Sequence, residues 1–374
     1  MIYLDNAATT LPLDKALEKY IDVSKNAFGN SSSMHTAGLD AVNALENART
    51  SVASLLACNK SEVYFTSGGT ESDNIAIFGT VRRLNRRGKK IITCAYEHAA
   101  VENCMKELEK QGFEVIRIGT KDGAFDIDAF EKALSEDVIL ISVMYANNET
   151  GLINPIERIK PLRDRLAPAA YIHTDAVQAF GKLPCDVARL GVDLLSVSSH
   201  KIGGVKGIGA LYIRKGVTVS SPVFGGGHEK GIRSGTVNVP AAAAFGVACE
   251  NADPAKNYTA VSALRKYACE KLDFVKTHTF SAQSPYVLSV TADGYKGETL
   301  LHYLNSKDIL VATASACSSN GKKDGRVLMS QSYGENEVSS VLRISFCTDN
   351  TKEDIDALAA ALKEGLDTLS KGVK

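Results

Sequence analysis

The chain has 374 residues, 44% hydrophobic and 23% charged, with no low-complexity tract; this is an ordinary globular composition, long enough for one large domain and a smaller one. Its 43 basic and 43 acidic residues cancel, so it lacks the basic surplus with which proteins engage nucleic acid or anionic membranes. No apolar run approaches the roughly 18 residues of a membrane span, and the opening MIYLDNAATT lacks the basic-then-apolar layout of a signal peptide, so a cytoplasmic location is expected.

In chain order, strand-like runs at 63–66, 90–94, 114–118, 138–143, 171–174, 194–198 and 210–213 alternate with helical patterns at about 36–57, 70–87, 98–111, 126–134 and 155–166. The alternation predicts an α/β fold with a mainly parallel seven-stranded sheet flanked by helices. Such sheets hold ligands beyond the carboxyl ends of their strands. An alanine-rich helical pattern begins near Pro240 and runs, with a break around Ala252-Asp253-Pro254, to about Phe274. Strands near 286–291, 309–312 and 341–345, and a last helix opened by Thr351-Lys352-Glu353-Asp354, predict a smaller C-terminal α/β domain. The expected division is a large domain over 11–250, with 1–10 and 251–374 forming a small domain that carries a cysteine loop.

Eight cysteines are scattered along the chain, and no two form a C-x-x-C pair, so no zinc site is expected. Most read as small buried hydrophobes. Cys317, in ATASACSSNG, sits instead among small polar residues and reads as an exposed loop position.

The segment DLLSVSSHKIGGVKGIGALYI, residues 193–213, delivers His200 and Lys201 to the end of an apolar strand. A lysine there either snorkels to water or has a depressed pKa and acts as a nucleophile. FTSGGTESDNIA, residues 65–76, is a strand, a glycine turn and a helix start. It reads either as a phosphate cradle with Gly69 and Thr70 as donors or as a tight turn with a threonine cap. The glycine run at 203–209 precedes a strand rather than a helix, which excludes a dinucleotide fingerprint. Asp175 ends another strand, where it either caps the next helix or holds a proton on a pyridinium nitrogen. Asn147-Asn148-Glu149-Thr150-Gly151 and Glu97-His98 also follow strands, and each is commonplace by itself.

Together they fit one ligand. An aldehyde cofactor carrying a phosphate needs an amine, an anion cradle, a carboxylate for the ring nitrogen, a donor for the phenolate oxygen and a flat partner for the ring. Lys201, Thr70 with Ser198 and His200, Asp175, Gln178 and His98 supply these in that order. Lys201 is then the carbonyl-capturing amine, its basicity lowered by partial burial and neighbouring positive charge.

The chain resembles the pyridoxal-phosphate-dependent cysteine desulfurases of the class V aminotransferase superfamily, in the branch with a long catalytic-cysteine loop. The resemblance is carried by YLDNAATT (3–10), GNSSSMH (29–35), TSGGTESDN (66–74), EHAAV (97–101), NNETG (147–151), HTDAVQ (173–178), SSHKIGGVKGIG (198–209), GGGHEKGIRSGT (225–236), SACSS (315–319) and LRIS (342–345). It implies a fold-type-I architecture and pyridoxal 5'-phosphate bound by Gly69, Thr70, His98, Asn148, Asp175, Gln178, Ser198, His200 and Lys201. It also implies a homodimer in which Thr236 reaches the cofactor phosphate of the neighbouring subunit. By the same resemblance Cys317 is the sulfur-accepting nucleophile, Arg343 with Asn148 binds the substrate carboxylate, and His98 stacks on the ring and shuttles the thiol proton.

The implied reaction converts L-cysteine to L-alanine, leaving a persulfide on Cys317 for an acceptor such as an iron–sulfur scaffold or a tRNA-thiolation protein. No direct nucleic-acid or membrane partner is implied. No resident metal is implied either; the one metal contact would be Cys317 meeting an iron–sulfur cluster during transfer. The family often has proline where this chain has Val205. The alternatives are a selenocysteine lyase or another class V enzyme without sulfur transfer, and an idle cysteine-presenting subunit; the complete cofactor set opposes the last.

Overall fold

A computed structural model describes residues 1–313, 325–331 and 333–370. Its central sheet has seven strands: β1 Val63–Thr66, β2 Lys90–Cys94, β3 Glu114–Ile118, β4 Val138–Ser142, β5 Tyr171–Asp175, β6 Leu194–Ser198 and β7 Gly209–Ile213. They lie in the order β1-β7-β6-β5-β4-β2-β3. Strand β7 is antiparallel to both β1 and β6, and the remaining pairings are parallel. All seven strands occur where the apolar runs predict them, within a residue at each end.

Alternation along the strands separates two cores. Ile92, Leu195, Val197 and Ala210 pack with Ala41, Leu45, Ala48 and Val52 of helix Thr36–Leu56 and with Ala241, Ala242 and Phe245 of helix Val239–Glu250. On the other face Ile91 and Leu140 meet Ile77, Val81, Val101 and Met105 of helices Gly69–Leu84 and Ala99–Lys110, while Leu194 and Leu211 meet Ile75 and Ala76. Covered on both sides, β4, β6 and β7 are buried at every position, which is why they read as continuous apolar runs.

Another sheet joins Lys276–Thr277, Val287–Thr291, Val341–Ser345 and Ala312–Thr313, all antiparallel. Leu288, Val290 and Ile344 from this small-domain sheet pack on Leu264, Ala268, Leu300, Leu304, Leu358 and Leu362 from the surrounding helices. The N-terminus joins this region: Ile2–Tyr3 pairs with Ile309–Leu310, Leu4 enters the core, and Asp5 bridges to Ser345.

The alanine-rich pattern divides where its sequence break falls, into helices Val239–Glu250 and Pro254–Lys271, because Asp253 accepts from the Lys256 amide and starts a new helix at the proline. Two details differ from the sequence expectation. The run at 309–312 divides between two partners, Ile2–Tyr3 and Val341–Ser345. Helices Asp14–Asn26 and Gly297–Ser306 are additional; the former buries only Ala16 and Val23, too little for a periodic stripe. The capping box at Thr351 forms as its sequence predicts.

Candidate active site

Because the parallel strands run the same way, their carboxyl ends share one edge of the sheet, and there the chain turns through polar residues. Strand β1 turns at Gly68, whose φ of +154° suits glycine, into helix Gly69–Leu84. A Cβ on Gly69 would lie 2.6 Å from Val177 Cγ2, so the approach to this helix start is tight. The first turn of a helix presents unsatisfied N–H groups and the positive end of its dipole, the usual seat of a phosphate.

Strand β6 passes into a short turn, Ser199–Lys201, that carries Lys201 to the same edge. Lys201 Nζ donates to the carbonyl oxygens of Ala7 at 2.6 Å and Ala8 at 2.7 Å. Gln178 Nε2 donates to the same Ala7 oxygen at 2.9 Å, and His200 Nδ1 lies 3.1 Å from Thr9 Oγ1. The N-terminal YLDNAATT segment is therefore a strap laid across the strand ends, and its alanines leave room for the side chains beneath.

These groups surround a cavity of about 250 Å³. Gly69, Thr70, His98, Asn148, Asp175, Gln178, Ser198, His200, Lys201 and Arg343 all line it, so the structure brings together ten of the residues singled out from the sequence. Thr236 is exposed and away from this wall. Its loop is anchored by buried Glu229, which accepts from Arg49 Nη1 at 2.6 Å and from the Phe65 amide at 2.8 Å. Cys317 and its loop lie outside the described residues.

Burial sets the charge states here. Asp175 accepts the Val177 amide at 2.8 Å; burial raises its pKa, and the nearby charges of His98 and Lys201 oppose the rise. Asp73, in the same wall, is raised well above the carboxylate range by burial first and by Asp175 next, so of these two aspartates Asp73 is the one that keeps its proton. Beneath it His173, pushed down to about 3 by burial, is neutral between Ser142 and Ser196, with Asp73 Oδ1 3.5 Å from its Nε2. Burial also lowers the His98 pKa. His98 Nδ1 accepts the Ala100 amide at 3.2 Å, which assigns the proton of the neutral ring to Nε2.

Arg343, 2% exposed, projects from the small-domain sheet into the cavity. Its Nη1 donates to the Asn148 carbonyl at 3.0 Å and its Nη2 to Asp5 Oδ1 at 2.8 Å, while Nε has no hydrogen-bond partner among the described residues. This cation with a free donor, opposite an amine and a carboxylate, suits an amino acid.

Sequence reasoning missed three groups. Asp73 follows Thr70 by three residues and shares its helix face, a spacing from which it was recoverable. Glu97 is fully buried, accepts from Cys94 Sγ at 3.0 Å and the Met144 amide at 2.7 Å, and is raised to about 8 by burial. Arg326 donates to the carbonyls of Ala95 and Glu97, just ahead of His98, a long-range contact without any local signal.

The amine, carboxylate, helix-start cradle and flat imidazole around one cavity fit a pyridine aldehyde that carries a phosphate. The comparisons agree. The model of the family described as Aminotransferase class-V matches residues 2–358. A "NifS/IcsS protein homolog" of Lactobacillus delbrueckii subsp. bulgaricus is 40% identical across 99% of this chain and 98% of its own. A "Cysteine desulfurase IscS" of Methanosarcina thermophila is 39% identical across 97% of this chain and 91% of its own. Among solved structures, a "NIFS-like protein" superposes with a TM-score of 0.93 at 34% identity, covering 98% of this chain and all (100%) of that one. Another, described as "SspA in complex with cysteine", gives 0.81 at 31% identity over 94% of this chain and 100% of its own.

The chain belongs to the class-V aminotransferase family, with the fold-type-I architecture of pyridoxal-phosphate enzymes. Within that family it is a pyridoxal-phosphate-dependent cysteine desulfurase.

Proposed function

We propose that this chain takes sulfur from L-cysteine in the Lys201 cavity, releases L-alanine, and carries the sulfur as a persulfide on Cys317. The convergence of Lys201, Asp175, the Gly69–Thr70 helix start, His98 and Arg343 on one cavity carries this reading. When bound, pyridoxal 5'-phosphate supplies an electron sink that makes the substrate's Cα–H acidic. Gly69, Thr70, Ser198 and His200 would hold its phosphate, with Thr236 contributed by the neighbouring subunit, while Asp175 would serve its ring nitrogen, Gln178 its phenolate oxygen and His98 its ring.

Arg343 receives the substrate carboxylate beside Asn148, and Asp5 keeps the guanidinium oriented. Lys201 Nζ, held by two backbone carbonyls, is the base that takes the Cα proton. The Cys317 thiolate attacks the substrate sulfur: the S–S bond forms as the C–S bond breaks, and the carbon fragment takes up protons to leave as alanine. With its ring proton on Nε2, His98 enters as a hydrogen-bond donor; accepting the thiol proton at Nε2 requires the other tautomer. Each of the seven described cysteines has a pKa raised first by burial, which makes them poor nucleophiles and supports the role proposed for Cys317.

A homodimer is supported by the exposed apolar side chains Leu17, Ile21, Phe28 and Met34 along the N-terminal helix and the loop after it. The two separate sheets, with Leu4 in the small-domain core, support the division into 11–250 and 1–10 with 251–374. Among the described residues no helix is long and apolar enough to cross a membrane; the cytoplasm is the proposed location and a cytoplasmic iron–sulfur scaffold the proposed acceptor. Cys317→Ser is expected to keep the cofactor yet lose sulfide release from L-cysteine. Sulfide release at the wild-type rate would remove Cys317 from the reaction.

A further inference from the structure

Lys201 also lines a smaller cavity, of about 190 Å³, on the other side of the N-terminal strap. Lys182 lines it too and is only 6% exposed. Among the described residues its ammonium makes no hydrogen bond and no ion pair; the Tyr286 ring lies 5.5 Å away. The charged groups facing it are Lys201 and Arg343, both of which disfavour a further cation, while the Cys347 side chain acts the other way. Tyr3 and Asp349 complete the titratable groups of the cavity wall: the Tyr3 hydroxyl is committed to the Asp5 and Thr9 carbonyls, and Asp349 is exposed.

An amine buried this far usually has a carboxylate partner, because an unpaired buried cation is costly. Here the partner's place is open cavity. The charges nearest it are positive, and Leu13, Ile202 and Phe346 give the wall apolar surface beside its asparagines and Asp349. We propose that this cavity is a binding site for a small aliphatic carboxylate, its carboxylate seated on Lys182 and its chain against Leu13, Ile202 and Phe346. The apolar wall selects an organic anion over an inorganic one. The neighbouring Lys201 cavity is not required, so the site stands independently of the desulfuration chemistry.

Burial first and Lys201 next bring Lys182 down to about 7, so its charge is available only at neutral pH and below. Binding should follow that protonation. Holoenzyme treated with borohydride, which caps Lys201, would be titrated calorimetrically with propionate about one unit below and one unit above pH 7. The expected result is an affinity roughly tenfold weaker at the higher pH, since only the ammonium attracts the anion. Lys182→Met should abolish the binding, and Arg343→Gln should retain it, which excludes the substrate clamp as the seat. Asn257→Leu, a half-buried change in the cavity wall that leaves Lys182 in place, should alter the propionate affinity even if Lys182→Met fails to fold. Equal binding of propionate and chloride, a flat pH profile, or binding that survives in Lys182→Met would overturn the proposal.

Discussion

The two cavities that meet at Lys201 differ in how their charges are answered. In the larger one Lys201 donates to two carbonyls, Asp175 has His98 and Lys201 nearby, and Arg343 has Asp5. In the smaller one Lys182 has an aromatic face and, among the described residues, no hydrogen bond or ion pair. Both lysines sit within two residues of a glycine turn, Gly181 and Gly203, and although only Lys201 ends an apolar strand, nothing local says what either amine meets. What separates them is the strap of residues 7–10, whose carbonyls reach one amine and leave the other unanswered. A buried lysine becomes a catalyst or a ligand seat according to what the distant chain brings to it.

That contrast breaks most visibly through Lys201. Lys201→Ala should lower sulfide release by at least about 10³-fold, the loss of a positioned base together with the covalent attachment point. Lys182→Met should lose far less; equal losses would erase the distinction between the two cavities. Asp175→Asn keeps the shape of the site and removes its charge, and should cost about 10²–10³-fold in kcat, as loss of a charge-stabilising group does. Steady-state sulfide assays on the purified variants check both.

The next effect is on stability. Lys182 has a folded pKa of about 7, below its ordinary 10.5. Between those values the unfolded chain binds a proton that the folded one does not, so stability rises with pH across that window, by up to about 1.4 kcal/mol per unit from this group. Below about 7 both states are protonated and the slope from this group vanishes. Lys182→Met should remove the slope, as urea unfolding at several pH values would reveal, and should stabilise the protein near neutrality. An unchanged slope would mean that the amine is not buried in solution.

The smallest effect has the opposite sign. Glu97 is raised from 4.5 to about 8, so the folded protein holds its proton where the unfolded chain has released it. Stability then falls as pH rises through that window. Glu97→Gln should flatten the fall, gaining about 1–2 kcal/mol at the upper end while the contact to the Met144 amide persists through the glutamine oxygen.

Much of this was legible along the chain. Polar residues that end apolar runs, Asp175 after YIHT and Lys201 after SVSSH, stand out because a buried strand has no other use for them. Asp73 was hidden inside a helix whose neighbours are polar, although its spacing from Thr70 pointed inward. Arg326 and Lys182 had no local signature at all. Arg326 grips carbonyls of residues 95 and 97, far away in sequence. Lys182 is, along the chain, indistinguishable from any lysine that follows a glycine.

The linear sequence by itself determined the alternation of strands and helices, the position of the strand ends, and the chemical inventory that a phosphorylated pyridine aldehyde needs. Those follow from periodicity and residue type, which act over a few neighbours. Only the tertiary structure decided which amine meets the Ala7 and Ala8 carbonyls, which buried carboxyl keeps its proton, and which lysine faces an open cavity. Those depend on burial and on charges brought close from distant parts of the chain, and electrostatic energy follows distance in space rather than separation in sequence.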